Sequence, residues 1–212
     1  MKDNVIFNIT VCIIGIVIFA IHAVNILIKK DRRKDERSMF DFIVFTIVHF
    51  STYLVFSLVK TVYTSNAYVI AFYTIFYIMN NIEVLLLFKY MLCYVELETK
   101  TIRALAAVNI TLFFVFIVLD IVNIFTGIFF GAENGEYQRS KTMIVAQFYQ
   151  FVIFATVFFV AVFNKKLLLR EKIAFATYCM LPAVAIVVQN VFKGYAMPMR
   201  RLSLRSRFCS CF

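Results

Sequence analysis

Apolar runs of about 20 residues constrain this chain more than any other feature of its sequence. A backbone that crosses lipid must satisfy its own hydrogen bonds, which selects helices. No alternating pattern typical of strands is present, so the predicted fold class is all-α, a polytopic transmembrane bundle of six helices. The predicted spans are Val5–Ile28, Phe42–Val59, Ala67–Tyr94, Ala104–Phe125, Met143–Phe163 and Ile173–Phe192.

A hydrophobic share of 63% distinguishes this chain of 212 residues from soluble proteins of similar length. A soluble domain of this size cannot bury so much apolar surface, whereas a bilayer acts as an apolar solvent. The net charge of +10 fits anionic lipid headgroups better than nucleic acid, because the basic residues flank the predicted spans. The lipid bilayer is therefore the expected partner, and nucleic acid is not.

Lysine and arginine are distributed unequally between the two ends of the predicted helices. Up to residue 196, thirteen of them lie in or beside loops 29–38, 95–103 and 164–172, and five lie on the other side. Cytoplasmic loops of membrane proteins carry such an excess of positive charge. The sequence therefore predicts a multi-pass protein of the cell membrane with its amino terminus outside and these loops in the cytoplasm.

The last residues, 197–212, break this charge rule. After six spans from an outside start the tail would lie outside, yet it contains Arg200, Arg201, Arg205 and Arg207. A seventh helix in place of the tail would return the chain to the cytoplasm.

The codons of the tail suggest an origin for it. Every Phe and Cys codon begins with T, as do most Ser codons, so a one-base shift makes the run Phe208–Phe212 encode apolar residues. We therefore expect a transmembrane sensor or anchor domain over 1–196 and a tail over 197–212 that arose by a frameshift near Ala196. The six helices are then the remnant of a seven-helix module. A genuine basic tail held at the headgroups is the alternative.

Four polar residues near the middle of the second and third predicted spans are candidates for a function: His49, Asn80, Asn81 and Glu83. Polar groups are costly inside a membrane and are functional candidates by default. Glu83 is expected to be protonated, or bonded to a neighbouring helix such as the one that carries His49. Structural hydrogen bonding between helices and a direct functional role both remain open for these residues.

A second polar set lies towards the predicted outer face. Asp120 and Asn123 are three residues apart and share a helix face, as do Gln147 and Gln150. Gln189 and Asn190 lie at a similar depth in the last predicted span, and the longest loop, Thr126 to Thr142, covers this level. The set predicts either a small extracellular pocket or a polar seam that holds helices together.

No catalytic constellation is present in the sequence. Metal-binding His/Glu spacings, a nucleophile elbow and a phosphate-binding glycine loop are all missing from the ordered part of the chain. The sequence therefore predicts no enzymatic activity and no cofactor.

The end of the fourth span and the following loop resemble a bacterial family. The run Asp120–Phe130, followed by Asn134–Arg139, resembles the "FTG-FF…NG-Y-R" stretch in the multi-span membrane region of GGDEF-type diguanylate cyclase signalling proteins. Two departures are that Ser140-Lys141 stands where the family usually has Gly-Pro, and that the family continues through a seventh span into catalytic domains. Further similar features are Tyr77–Asn81, Leu181-Pro182 and Gly194-Tyr195.

This resemblance implies a membrane sensory or anchoring module of a cyclic-di-GMP signalling protein that lacks its cytoplasmic output domain. In such a protein a signal shifts the helix arrangement and changes dimerisation of the cyclase domains. A second copy of the chain and a small extracellular or membrane ligand are the partners it allows. The candidate sensing residues are Asp120, Asn123, Tyr137, Arg139, Gln147 and Gln150.

Two other classes stay open. A small transporter or channel fragment would need polar residues along a continuous path, and the sequence does not connect Asp120 and Asn123 with Asn80, Asn81 and Glu83. A serpentine receptor agrees with the outside start. It usually has a DRY-like motif after the third helix, where this chain has Tyr94-Val95-Glu96.

Overall fold

The computed structural model describes residues 2–29, 31, 33–59, 65–95, 99–180, 183–184 and 187. In this part of the chain four helices are long and apolar enough to cross a membrane, which indicates membrane localisation. They confirm the first four predicted spans as helices, each of which begins before the predicted first residue. These helices are α1 (Lys2–Leu27), α2 (Lys34–Val59), α3 (Asn66–Tyr94) and α4 (Thr99–Thr126).

The four helices have the length and the surface expected in lipid. Each contains 26 to 29 residues, which at about 1.5 Å per residue exceeds the roughly 30 Å of a hydrocarbon core. Their outward faces are apolar: Val17 of α1 and Val118 of α4 each expose more than half of their surface. Such exposure is stable in a bilayer, because lipid tails replace the protein core as apolar surroundings.

Helices α2 and α3 pack as antiparallel neighbours along their full length. At one end Lys89 donates to Asp41, and near the middle His49 contacts Glu83. Towards the other end the ring of Phe56 stacks on Phe72. Ser65 begins α3 by accepting a hydrogen bond from the backbone N–H of the first turn.

A short β-hairpin that the hydropathy pattern did not predict follows α4, while the described chain is otherwise mostly helical, consistent with the predicted all-α class. Strands β1 (Phe130–Glu133) and β2 (Glu136–Arg139) pair antiparallel, with Glu133 opposite Glu136. The two turn residues, Asn134 and Gly135, have φ values of 53° and 72°. Asn-Gly tolerates this left-handed backbone better than other pairs, and such a turn matches the twist of the two strands.

The fifth predicted span, Met143–Phe163, is not one continuous helix. It divides at Gln147 into α5 (Met143–Ala146) and α6 (Phe148–Phe163). The turn directs Gln147 towards the hairpin, where Arg139 donates to it; hydropathy carries no sign of such a tertiary bond. Helix α6 alone has 16 residues, about 24 Å, and is shorter than a full span.

In the region of the sixth predicted span, the described residues 169–180, 183–184 and 187 are helical. Gln189 and Asn190, the pairs Leu181-Pro182 and Gly194-Tyr195, and the tail 197–212 lie outside the described residues. The predicted count of six spanning helices is therefore confirmed only for the first four.

Candidate functional site

Asn123 fixes the path of the chain from α4 into the hairpin. Gly127 ends the helix with a φ of 62°, and its N–H bonds to the carbonyl of Asn123. The Asn123 side chain accepts from the backbone N–H of Phe129 at 2.7 Å and of Phe130 at 3.4 Å. Its Nδ2 donates to the Phe130 carbonyl at 3.1 Å. The amide therefore replaces backbone partners that the chain loses at this reversal.

The hairpin rests on α3 through aromatic side chains. The hydroxyls of Tyr77 and Tyr137 lie 2.8 Å apart, and the Tyr137 ring lies 4.0 Å from that of Tyr73. Phe130 is 1% exposed beside them, and at the tip Gly135 N–H donates to the Asn66 side chain. Burial raises the pKa of the Tyr137 phenol above its usual value, so this hydroxyl stays protonated at neutral pH.

Beneath the hairpin α3 and α4 are joined by two buried polar groups. Asn81 Nδ2 donates to Asp120 Oδ2 at 2.9 Å, and each residue is 1% exposed. The described residues place no Lys, Arg or His within ion-pair distance of Asp120. The contact is therefore a hydrogen bond between a carboxyl and an amide.

On the other side of the hairpin, Arg139 NH2 donates to Gln147 Oε1 at 2.7 Å. Gln150 is also buried, but the structure does not bring it into these hydrogen bonds. Five of the six predicted sensing residues thus lie together, and Gln150 does not join them. We call the assembled group the hairpin cluster; it contains Tyr77, Asn81, Asp120, Asn123, Tyr137, Arg139 and Gln147.

A separate polar group joins α2 to α3. Glu83 accepts from Thr46 Oγ1 at 2.8 Å, and its other carboxyl oxygen lies 2.6 Å from His49 Nδ1. This confirms the expectation that Glu83 bonds to the helix that carries His49. Asn80 is half-buried and belongs to neither group. We call Thr46, His49 and Glu83 the His–Glu group.

The residues on which the hairpin packs carry no local signal of that role in the sequence. Tyr77 and Phe130 belong only to the stretches that resemble the family, and Met143 is one of many apolar residues. The Asn134-Gly135 pair was a usable signal for the hairpin, because it is the strongest short sequence indication of a two-residue turn. The bond between Asn81 and Asp120 joins two helices, and neither helix's periodicity predicts the other's register.

A cavity of about 360 Å³ lies away from the hairpin cluster, between α1, α2, α3 and residues 169–180. Its walls are mainly apolar, and none of the predicted sensing or intramembrane polar residues lines it. It arises where helices meet, so no local pattern indicates it. Among the residues that line it are Phe42, Ile43, Leu87, Tyr90, Phe175 and Tyr178.

Comparisons with known proteins leave the chain without an assigned family. No protein-family model matches it, and no curated protein or solved structure matches it either. Within the described residues no group of three or more His, Cys, Asp or Glu side chains could hold a metal ion.

Proposed function

We propose that this chain is the membrane-embedded sensory or anchoring module of a cyclic-di-GMP signalling protein. The observation that carries the proposal is that the stretch resembling GGDEF-type proteins coincides with the hairpin and its supports. Gly127 ends α4, Asn134-Gly135 forms the turn, and Tyr137 and Arg139 bond to α3 and Gln147. Gly127, Asn134, Gly135, Tyr137 and Arg139 of this stretch therefore all take part in building the hairpin and its contacts.

The hairpin cluster is suited to pass a change on to the helices. Tyr137 contacts α3 through Tyr77, and one turn further along α3 Asn81 contacts Asp120 of α4. A ligand that moved the hairpin would therefore act on two membrane helices at once. Such a signal must bind one helix arrangement more tightly than the other, because equal affinity shifts no equilibrium.

A fusion protein tests this proposal. The full chain is joined through one added transmembrane helix to a GGDEF catalytic domain, and cyclic-di-GMP is measured in cells. Y77F and Y137F, which each remove one hydroxyl of the contact, are expected to change output at least several-fold in the same direction. Y90F is the matched control, because it removes a hydroxyl from α3 outside the hairpin cluster.

Two results would contradict the proposal. Equal output from the parent fusion, Y77F and Y137F would show that the hairpin contact does not influence the attached domain. Synthesis of cyclic-di-GMP by the purified chain without a fused cyclase would also overturn it, because the chain is proposed to be a regulatory module and not the enzyme.

One observation favours a transporter or channel as the second candidate. The sequence did not connect Asp120 with Asn81, but the structure joins them by a direct hydrogen bond. Glu83, two residues after Asn81 on α3, bonds to Thr46 and His49 of α2. Polar groups therefore occur in the interface of α3 with α2 and in its interface with α4. Flux of ions or small solutes into proteoliposomes that is lost in E83Q would support this reading; an impermeable bilayer would exclude it for the solutes tested.

A further inference from the structure

Two buried oxygens lie unpartnered at the same contact. Asn81 and Asp120 share one hydrogen bond, from Asn81 Nδ2 to Asp120 Oδ2. The remaining oxygen of each group, Asn81 Oδ1 and Asp120 Oδ1, is buried and has no hydrogen-bond partner in the described residues. Leaving a buried polar atom unpaired is unfavourable, and for a charged carboxylate in an apolar interior it is strongly so.

The protonation state of Asp120 decides whether these oxygens can be satisfied. An ionised carboxylate only accepts hydrogen bonds, and a carboxamide oxygen only accepts them. Ionised Asp120 would therefore leave two acceptors and a negative charge in the membrane interior. A proton on Asp120 Oδ1 supplies the missing donor, because that O–H can donate to Asn81 Oδ1 while Asn81 Nδ2 continues to donate to Asp120 Oδ2.

No neighbouring element offers a charge that would keep Asp120 ionised. Helix α3 presents Asn81 and the Tyr77 phenol, and α6 presents the Tyr149 phenol, whose ring packs against Phe116 of α4. Helix α5 consists of apolar residues only. Among the charged side chains of this region, Glu83 of α3 bonds to His49 of α2, and Arg139 of β2 donates to Gln147.

We propose that Asp120 holds an exchangeable proton inside the membrane, as a neutral carboxylic acid hydrogen-bonded twice to the carboxamide of Asn81. The ligand of this site is the proton itself, bound at Asp120 Oδ1. Its release to water breaks the O–H bond, leaves the electron pair on the Asp120 carboxylate and removes one of the two hydrogen bonds between Asp120 and Asn81. Asn123, which anchors the hairpin, lies one turn further along α4, so movement of the hairpin gives a route for exchange.

Infrared spectroscopy of the full chain in lipid bilayers tests the proposal, with the proton as the probe. Wild type at neutral pH is expected to show the C=O stretching band of a protonated carboxyl, which shifts in D2O and is lost reversibly as the pH rises. The band is expected to vanish in D120N. It is expected to persist in E83Q, the control that removes the carboxyl of Glu83 near the middle of α3.

Three spectroscopic results would overturn the proposal. Wild type could lack the band at neutral pH, which would mean that Asp120 is ionised. The band could survive in D120N, which would assign it to another acid. It could also persist to the highest pH at which the protein stays folded, which would show that the proton does not exchange.

Thermal unfolding supplies a second readout that does not depend on the spectrum. An amide offers the same donor and acceptor as the neutral acid, so D120N is expected to unfold at the wild-type temperature at neutral pH. D120L removes both bonds and is expected to unfold at a lower temperature or not to accumulate. D120N destabilised as strongly as D120L would contradict the paired neutral acid.

Discussion

The hairpin cluster and the His–Glu group both use buried polar side chains, but they are built differently. The His–Glu group joins two helices that are adjacent in the chain, through side chains alone. The hairpin cluster joins α3, α4, β2 and the turn at Gln147, and Asn123 within it bonds to main-chain groups. Helix α3 takes part in both, with Asn81 and Glu83 only two residues apart.

This difference shows how a membrane protein can include irregular backbone beside its helices. Two helices can meet through a few side-chain bonds, because each helix satisfies its own main chain. A chain reversal cannot, so β1 and β2 pair with each other and Asn123 bonds to the groups at their start. We therefore expect the hairpin cluster to depend on one residue far more than the His–Glu group does.

The largest effect is expected from Asn123→Ala. It removes the partners of two buried N–H groups and one carbonyl, at roughly 1–3 kcal/mol for each group left unpaired. Thermal unfolding in detergent micelles measures the loss, and proteolysis reports release of the hairpin. Thr126→Val is the matched control, because the Thr126 hydroxyl donates to the carbonyl of Val122 at the exposed end of the same helix. Equal losses of stability in the two variants would contradict the role of Asn123 in holding the hairpin.

Glu83→Leu is expected to lower stability by a smaller amount, about 1–2 kcal/mol, in the range of hydrogen bonds between membrane helices. It leaves His49 without its carboxylate partner, while Thr46 keeps a second bond to the carbonyl of Phe42. Glu83→Gln retains a polar partner and should recover most of the loss in the same unfolding measurement. A glutamine variant no more stable than the leucine variant would show that shape, and not hydrogen bonding, matters here.

The contact between Tyr77 and Tyr137 should contribute roughly 0.5–1.5 kcal/mol, as for a typical neutral hydrogen bond. Y77F and Y137F are expected to be destabilised by similar amounts. The double variant should be little worse than either, because both changes remove the same bond. Strictly additive losses in this cycle would mean that the two hydroxyls act independently.

The smallest effect is expected at the end of α3. Lys89 and Asp41 form an ion pair in which both side chains are about half exposed. Exposed pairs contribute at most about 1 kcal/mol, so Lys89→Ala should leave the unfolding temperature nearly unchanged. A loss as large as that of Asn123→Ala would indicate that polarity anywhere on α3 matters equally, and would remove the distinction between the two regions.

The sequence predicted the helices well because hydropathy is a local property. Spans such as Phe42–Val59 and Ala104–Phe125 lie inside α2 and α4. Glu83 also has the partner helix that was expected, since antiparallel neighbours bring the middle of α2 to the middle of α3. The orientation in the membrane, which follows from the basic loops, stays a prediction.

The parts of the fold and of the candidate site that the sequence did not predict depend on contacts between residues far apart in the chain. The spacing of Asp120 and Asn123 indicated a shared face, but not that one bonds to Asn81 and the other to the hairpin backbone. The turn at Gln147 interrupts a run whose overall hydropathy predicted one continuous helix. The hairpin itself could have been predicted from the sequence, because Asn134-Gly135 is a strong signal for a two-residue turn.

Hydrogen–deuterium exchange of the full chain in bilayers tests most directly whether the hairpin cluster and the His–Glu group stabilise different segments around α3. Asn123→Ala is expected to speed amide exchange across the hairpin, residues 129–139, and to leave the α2–α3 interface protected. Glu83→Leu is expected to do the reverse. If both variants loosened the same segments to the same extent, the hairpin cluster and the His–Glu group would form one unit, contrary to the separation described above.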